Sequence, residues 1–188
     1  MRVVTGKARG RKLATLPGLE TRPTTEMAKE AIFSAIQFEL EGAMVLDLFA
    51  GSGQMGIEAL SRGAKFAVFV DSNREAQNII RQNLQHTGLY SQSRVVAMDY
   101  LGFLQSSVDQ FDILFMDPPY SQGMLEQALP LAEKRMKEGG ILICETDKNE
   151  SLPQQVGRFT AKKEYRYGRC KFTLYRQAED GSGSAGQL

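Results

Sequence analysis

The chain has little of the chemistry that metal centres and nucleophilic hydrolases usually need. Its 188 residues include one histidine, His86, and two cysteines, Cys144 and Cys170. A single imidazole argues against both a zinc site and a Ser/His/Asp triad, and the cysteines are not spaced as a metal knuckle. No metal is expected, and His86, within a polar helical stretch, reads as a surface residue. Two lone cysteines fit a reducing cytoplasm. Long hydrophobic runs are missing too. No window approaches the length of a membrane span, and Met1-Arg2-Val3-Val4-Thr5-Gly6-Lys7 lacks the apolar core of a signal peptide. A cytoplasmic location with no membrane role is therefore expected. The remaining composition, 42% hydrophobic and 24% charged, is that of a soluble globular chain with one full core and a small appendage.

The formal net charge of +1 conceals an uneven distribution. Residues 1–22 carry six Lys or Arg against Glu20 alone, net +5, and residues 158–188 carry seven against three acidic residues, net +4. The middle, 23–157, has ten basic and eighteen acidic residues, net −8. Basic ends on an acidic body suggest a polyanionic partner gripped at one edge, although charged termini are also ordinary solvated surface. The first candidates for phosphate contacts are Arg9, Arg11 and Lys12, then Arg166 and Arg169, with Arg2 and Lys7 beside them.

The hydrophobic pattern divides the chain into three parts. Residues 1–22 read as a basic hairpin or extended arm, too polar to build a core of its own. Residues 23–176 hold the main domain, and the Gly/Ser-rich stretch in 177–188 reads as a flexible tail. Arg22-Pro23-Thr24-Thr25 supplies a turn and a helix cap, after which Ala31, Ile32, Phe33, Ala35, Ile36 and Leu40 form an apolar stripe. Strands are predicted at 44–49, 66–71, 94–98, 111–116 and 140–145. Helices are predicted between them, at about 54–62, 73–87, 100–107 and 122–136. Apolar strands alternating with helices give an α/β fold, a mostly parallel sheet covered on both faces. Phe159–Tyr165 and Cys170–Tyr175 then flank Arg166-Tyr167-Gly168-Arg169 as a closing antiparallel hairpin.

Two motifs carry chemistry. The run Val45-Leu46-Asp47-Leu48-Phe49-Ala50 leads into Gly51-Ser52-Gly53-Gln54-Met55-Gly56, a G-x-G-x-x-G at the opening of a helix. Its glycines allow a sharp turn and close approach of a ligand. Twenty residues after Gly51, Asp71 ends the second strand, where a carboxylate can take ribose hydroxyls. Nicotinamide dinucleotides and S-adenosylmethionine both fit that spacing. Asp47, suited to a cationic amino group, and Asp99, placed to accept from an adenine amine, favour the latter. Helix capping by all three carboxylates is the competing explanation.

The second motif, Asp117-Pro118-Pro119-Tyr120, closes the apolar run Phe111–Met116. If the substrate is a planar base with an exocyclic amine, the Asp117 carboxylate and the Pro118 carbonyl can each accept from the amine. Tyr120 can stack on the ring. Alone, Pro-Pro often simply stops a strand.

The chain resembles the class I S-adenosylmethionine-dependent methyltransferases, and among them the amino-methylating group with a (D/N)-P-P-(Y/F/W) motif. The ordering of Gly6-Lys7-Ala8-Arg9-Gly10-Arg11-Lys12-Leu13, Arg22-Pro23-Thr24-Thr25, Leu46-Asp47-Leu48-Phe49-Ala50-Gly51-Ser52-Gly53, Glu58-Ala59-Leu60-Ser61-Arg62-Gly63-Ala64 and Asp117-Pro118-Pro119-Tyr120 is similar to that of the RsmD family, over about residues 1–176. Lys7-Ala8-Arg9 stands where an aromatic is frequent in relatives. The resemblance implies a three-layer Rossmann-like fold with seven strands in the order 3-2-1-4-5-7-6, strand 7 antiparallel. It implies methyl transfer from S-adenosylmethionine to the N2 amine of a guanine in 16S ribosomal RNA, by a monomer acting on ribosomal RNA or a small-subunit assembly intermediate.

The expected catalytic set is Asp117, Pro118, Pro119 and Tyr120. The cofactor set is Asp47, Phe49, Ala50, Gly51, Ser52, Gly53, Asp71, Ser72, Asp99 and Tyr100, to which the resemblance adds Thr24 and Thr25. The competing functions are adenine-N6 methylation of DNA, a non-catalytic RNA-binding module on this scaffold, and a dinucleotide oxidoreductase.

Overall fold

Buried parallel strands lie between two helical layers, so they read as nearly unbroken apolar runs. In the computed structural model, which describes residues 1–18, 23–119 and 122–178 (the side chains of 23–25 excepted), such runs form β1 (Met44–Asp47), β2 (Phe66–Asp71), β4 (Phe111–Met116) and the centre of β5 (Met136–Asp147), while β3 (Ser93–Ala97), at the sheet edge, has no fully buried residue. The intervening helices are α1 (Pro23–Ala35), ahead of β1, then α2 (Gln54–Ser61), α3 (Arg74–Thr87), α4 (Tyr100–Ser106) and α5 (Met124–Glu133). Pro23 occupies the first helical position of α1, where its missing N–H costs nothing. The chain closes with β6 (Gln155–Val156), β7 (Phe159–Tyr167) and β8 (Cys170–Gln177).

The sheet order is β3-β2-β1-β4-β5-β8-β7-β6, with β8 antiparallel to both β5 and β7. This matches the implied order except at the rim. There are eight strands rather than seven, because Gln155 and Val156 pair with Thr160 and Phe159 at the edge. A two-residue strand has no period to read in the sequence. The other departure is at β5, which starts at Met136 rather than 140 because Met136 pairs with Phe111. That early start takes residues from the predicted end of α5, which stops at Glu133.

Strand alternation sorts the core into two layers. Val45, Phe69, Ile113, Phe115, Ile141, Ile143, Phe172 and Leu174 face α1, α2 and α3. Leu46, Leu48, Val68, Val70, Leu114, Met116, Leu142, Cys144 and Tyr175 face α4 and α5. Between β1 and β4 the chain's progress across the sheet reverses, creating the crevice where ligands bind in open α/β sheets. Among the described residues no helix is long and apolar enough to cross a membrane.

The amino-terminal arm is joined by an antiparallel bridge between Arg2 and Lys12. It lends Val3, Ala8 and Leu13 to the layer beneath α1–α3. Glu58, in the middle of α2 and fully buried, holds it there. Its two oxygens accept from the Val4 and Thr5 amides at 2.9 and 3.0 Å, and ion-pair with Lys29 Nζ at 3.4 Å and Arg62 Nε at 2.9 Å. Ser61 Oγ adds a bond from the Ala8 amide and one to the Thr5 carbonyl. Gly6 lies so close to α2 that a Cβ there would sit 1.8 Å from the Ser61 carbonyl oxygen.

Candidate active site

The site is assembled at the carboxyl ends of the five parallel strands β1 to β5. After β1, Gly53 takes φ 80° as the N-cap of α2, and a Cβ on Gly56 would come within 2.4 Å of the Phe69 ring. Two of the motif's glycines thus serve the turn and the packing of helix on strand. Above Gly51 nothing lies within 4 Å of where a Cβ would stand, so the loop keeps open space on that side. The backbone of this loop and the carboxylates around it are groups of the kind an adenosyl moiety hydrogen-bonds.

Each expected cofactor carboxylate also stabilises its own loop. Buried Asp47 accepts from the Gly56 amide at 3.0 Å. The Asp71 oxygens accept from the Gly51 and Asn73 amides, both at 2.9 Å. Asp99 is the N-cap of α4 and accepts from the Gly102 amide at 3.0 Å. Capping therefore operates at Asp47 and Asp99, whereas Asp71 ties the glycine loop to the β2–α3 turn and leaves the cap of α3 to Asn73; each carboxylate retains lone pairs for a ligand. The Phe49 and Tyr100 rings lie 4.9 Å apart and form one apolar wall beside Asp99. Ala50 and Ser52 are buried, the Ser52 carbonyl accepting from Asn83, while Ser72 is exposed. Thr24 and Thr25 lie in the first turn of α1, and their side chains fall outside the description.

Across the crevice, Asp117 leaves β4 one residue past the Met116–Cys144 pair. It continues the parity of Ile113 and Phe115, so it points to the same face as Asp47. Asp117 and Pro119 are exposed and Pro118 is buried; Tyr120 lies outside the described residues. Protein crowded around Asp117, the Glu145 carboxylate that hydrogen-bonds to it, and Asp47 push its carboxyl well above the usual carboxylate range. Because Asp117 itself is exposed, the acidic neighbours rather than loss of water dominate this effect. Asp47 is pushed up to about 7, by burial first and by Asp71 in smaller part, against the opposing Gly56 amide. Glu145 was not among the residues expected from sequence. The only signal for it there is a carboxylate ending the apolar run Ile141–Cys144.

The basic candidates divide by position. Arg166, near the end of β7 and paired to Glu164 at 3.1 Å, and exposed Arg169 of the β7–β8 turn lie at the same sheet edge as Asp117. Arg2, 3.8 Å from Glu26 of α1, and its bridge partner Lys12 lie near the glycine loop, where Met1 touches Ser52. Lys7 is at the far end of α2, its amide bonded to the Ser61 carbonyl, and Arg11 reaches the His86 carbonyl at the far end of α3. Arg9 is exposed at the arm's turn. Exposed His86 is a surface residue as expected, and among the described residues no cluster could hold a metal.

This topology, with a glycine loop after β1, a carboxylate after β2 and an acid-Pro-Pro exit from β4, is the Rossmann-like class I methyltransferase fold. A solved Escherichia coli chain, yhhF, superposes with a TM-score of 0.85 at 32% identity, covering 94% of this chain and 97% of that one. The chain belongs to the family described as Conserved hypothetical protein 95, which it matches over residues 1–176. Two relatives carry the name Ribosomal RNA small subunit methyltransferase D. The Haemophilus influenzae protein is 34% identical, with 93% of each chain covered. The Escherichia coli K12 protein is 30% identical, with 98% of this chain and 94% of that one covered.

Proposed function

We propose that this protein transfers a methyl group to the exocyclic N2 amine of a guanine in small-subunit (16S) ribosomal RNA. The observation that carries the reading is the Asp117-Pro118-Pro119 exit from β4, facing the glycine loop across the crevice, in a chain whose relatives are named as small-subunit rRNA methyltransferases. S-adenosylmethionine supplies a methyl group activated by a sulfonium centre. Asp47, Asp71, Asp99, the Gly51–Gly53 backbone and the Phe49–Tyr100 wall would hold it. Thr24 and Thr25 would complete that site.

The chemical difficulty lies in the acceptor. The lone pair of an aromatic amine is delocalised into the ring and is a weak nucleophile. Hydrogen bonds from N2 to the Asp117 carboxylate and the Pro118 carbonyl localise that pair and fix the direction of attack. The proton that N2 sheds passes to Asp117. A carboxylate whose pKa is lifted by acidic neighbours takes that proton more readily than an ordinary aspartate. Tyr120 stacks on the base. Arg166 and Arg169 grip phosphates at the same edge, with Arg2 and Lys12 by the glycine loop; Lys7, Arg9 and Arg11 extend the basic arm. The reaction proceeds in a monomer and needs no metal.

The test is to incubate the protein and labelled S-adenosylmethionine with 16S rRNA, and with small subunits, from cells lacking it, then map the product. Label in N2-methylguanine at one position supports the reading. Label on adenine N6 of duplex DNA, or none on either RNA substrate, overturns it.

A further inference from the structure

The guanine reading leaves open how the site would tell guanine from other bases that carry an amine. Asp117 is one carboxylate, and the register supplies a second. β4 and β5 pair in parallel through Leu114–Leu142, Phe115–Ile143 and Met116–Cys144, so the next rung sets Asp117 beside Glu145 on one face. Neighbouring strands are about 4.8 Å apart, and the two carboxyl groups hydrogen-bond to one another.

Glu145 is also rigidly placed. It lies inside β5, paired to Phe172 of β8 on its other side, and is half-buried where Asp117 is exposed. A side chain held between two ladders does not follow a loop, so Glu145 keeps its place beside the point where Asp117 leaves β4.

Two adjacent acceptors select for two adjacent donors. The Watson–Crick edge of guanine presents N1–H next to N2–H₂. Adenine and 2-aminopurine each present an amine next to an unprotonated N1, whose lone pair would face a carboxylate. We propose that Glu145 is a specificity-determining residue, its carboxylate accepting from guanine N1–H while Asp117 accepts from N2–H. This rests on the proposed guanine-N2 activity and deepens it. On entry of the base the single proton that the two acids share is released to solvent, and each carboxylate then accepts from a donor of its own. A base lacking N1–H sets the lone pair of its N1 against the Glu145 carboxylate, a repulsion that disfavours that base.

The test replaces the mapped guanine in an rRNA fragment with 2-aminopurine, which keeps the 2-amine but has no N1–H. The wild-type protein is expected to prefer guanine by about 100-fold in kcat/KM, the upper end of what one lost hydrogen-bond partner costs a site. Glu145→Gln, whose amide can donate to N1, should lower that preference at least about tenfold and raise the absolute rate on 2-aminopurine. Glu145→Ala should lower the preference without raising that rate as far. S-adenosylmethionine affinity, read by calorimetry, should be unchanged in both, which also shows that each variant is folded. An unchanged preference in both variants overturns the proposal, as does a wild-type protein that uses the two bases equally. If wild-type protein makes no N2-methylguanine at all, the function itself fails, a separate outcome from failure of the specificity role.

Discussion

Glu58 and Asp117 are carboxylates of one molecule in opposite surroundings. Glu58 is fully buried and meets donors on every side: two backbone amides, Lys29 and Arg62. Asp117 is exposed, and its carboxyl neighbours are Glu145 and Asp47. The first arrangement stabilises a charge and leaves it no further chemistry, so Glu58 is a rivet between the arm and α2. The second raises the energy of the ionised form and gives the group reason to seek donors from a ligand. A buried charge with complete partners leaves nothing for a ligand, and an acid crowded by acids at an open crevice is the arrangement that the proposed chemistry uses.

The sharpest way to break this comparison is to remove each acid in turn. Asp117→Ala should lower methyl transfer roughly 100- to 10,000-fold, the range for a positioned polar group. Its thermal stability and cofactor affinity should stay close to wild type. Methylation at the wild-type rate would remove Asp117 from the chemistry. Glu58→Gln should do the reverse. It leaves Lys29 and Arg62 buried without a counter-charge, and breaking such a pair costs about 3–5 kcal/mol. Burial already holds the Lys29 pKa below its ordinary value, with Glu58 opposing the shift, so the variant's lysine can shed its proton and moderate the loss. Urea denaturation would measure it. A Glu58→Gln protein as stable as wild type would show that the arm is held by its apolar contacts alone.

The sequence made the parallel strands plain because burial on both faces leaves no polar alternation, as in Phe66–Val70 and Phe111–Met116. The glycine loop was equally plain, since Gly53 needs a left-handed φ and Gly56 sits against Phe69. Two acids were not legible in their roles. Glu145 ends an apolar run like many others, and only the β4–β5 register sets it beside Asp117. Glu58 reads as one helical glutamate among several, and its partners at Val4 and Thr5 lie more than fifty residues away. The roles of Asp47, Asp71 and Asp99 had two explanations in sequence; Asp47 and Asp99 do bond first-turn amides of α2 and α4, while Asp71 bonds loop amides and α3 is capped by Asn73. Arg22 and Tyr120, the tail from 179 onward and the side chains of Thr24 and Thr25 lie outside the described residues.

Asp47 stands between these extremes and gives the smallest and most diagnostic effect. It is buried like Glu58, but its one backbone donor, Gly56, does not offset burial, and its pKa rises to about 7. A carboxyl raised in this way binds its proton more tightly in the folded than in the unfolded chain. Its contribution to stability is therefore complete below the ordinary carboxylate range, near pH ~4, and is lost as the pH rises through about 7. Asp47→Asn keeps an oxygen acceptor for the Gly56 amide but cannot ionise. Between about pH 5 and about pH 8 the wild-type protein should lose roughly 2–3 kcal/mol from this group, and the variant should lack that part of the decline. Parallel stability-against-pH curves for the two would mean that Asp47 ionises in the native loop as easily as on the surface. It would then belong with Glu58 as a satisfied structural acid. A flatter curve for the variant would place it with Asp117, as a carboxylate whose charge is costly without a cationic partner and suited to the amino group of the cofactor.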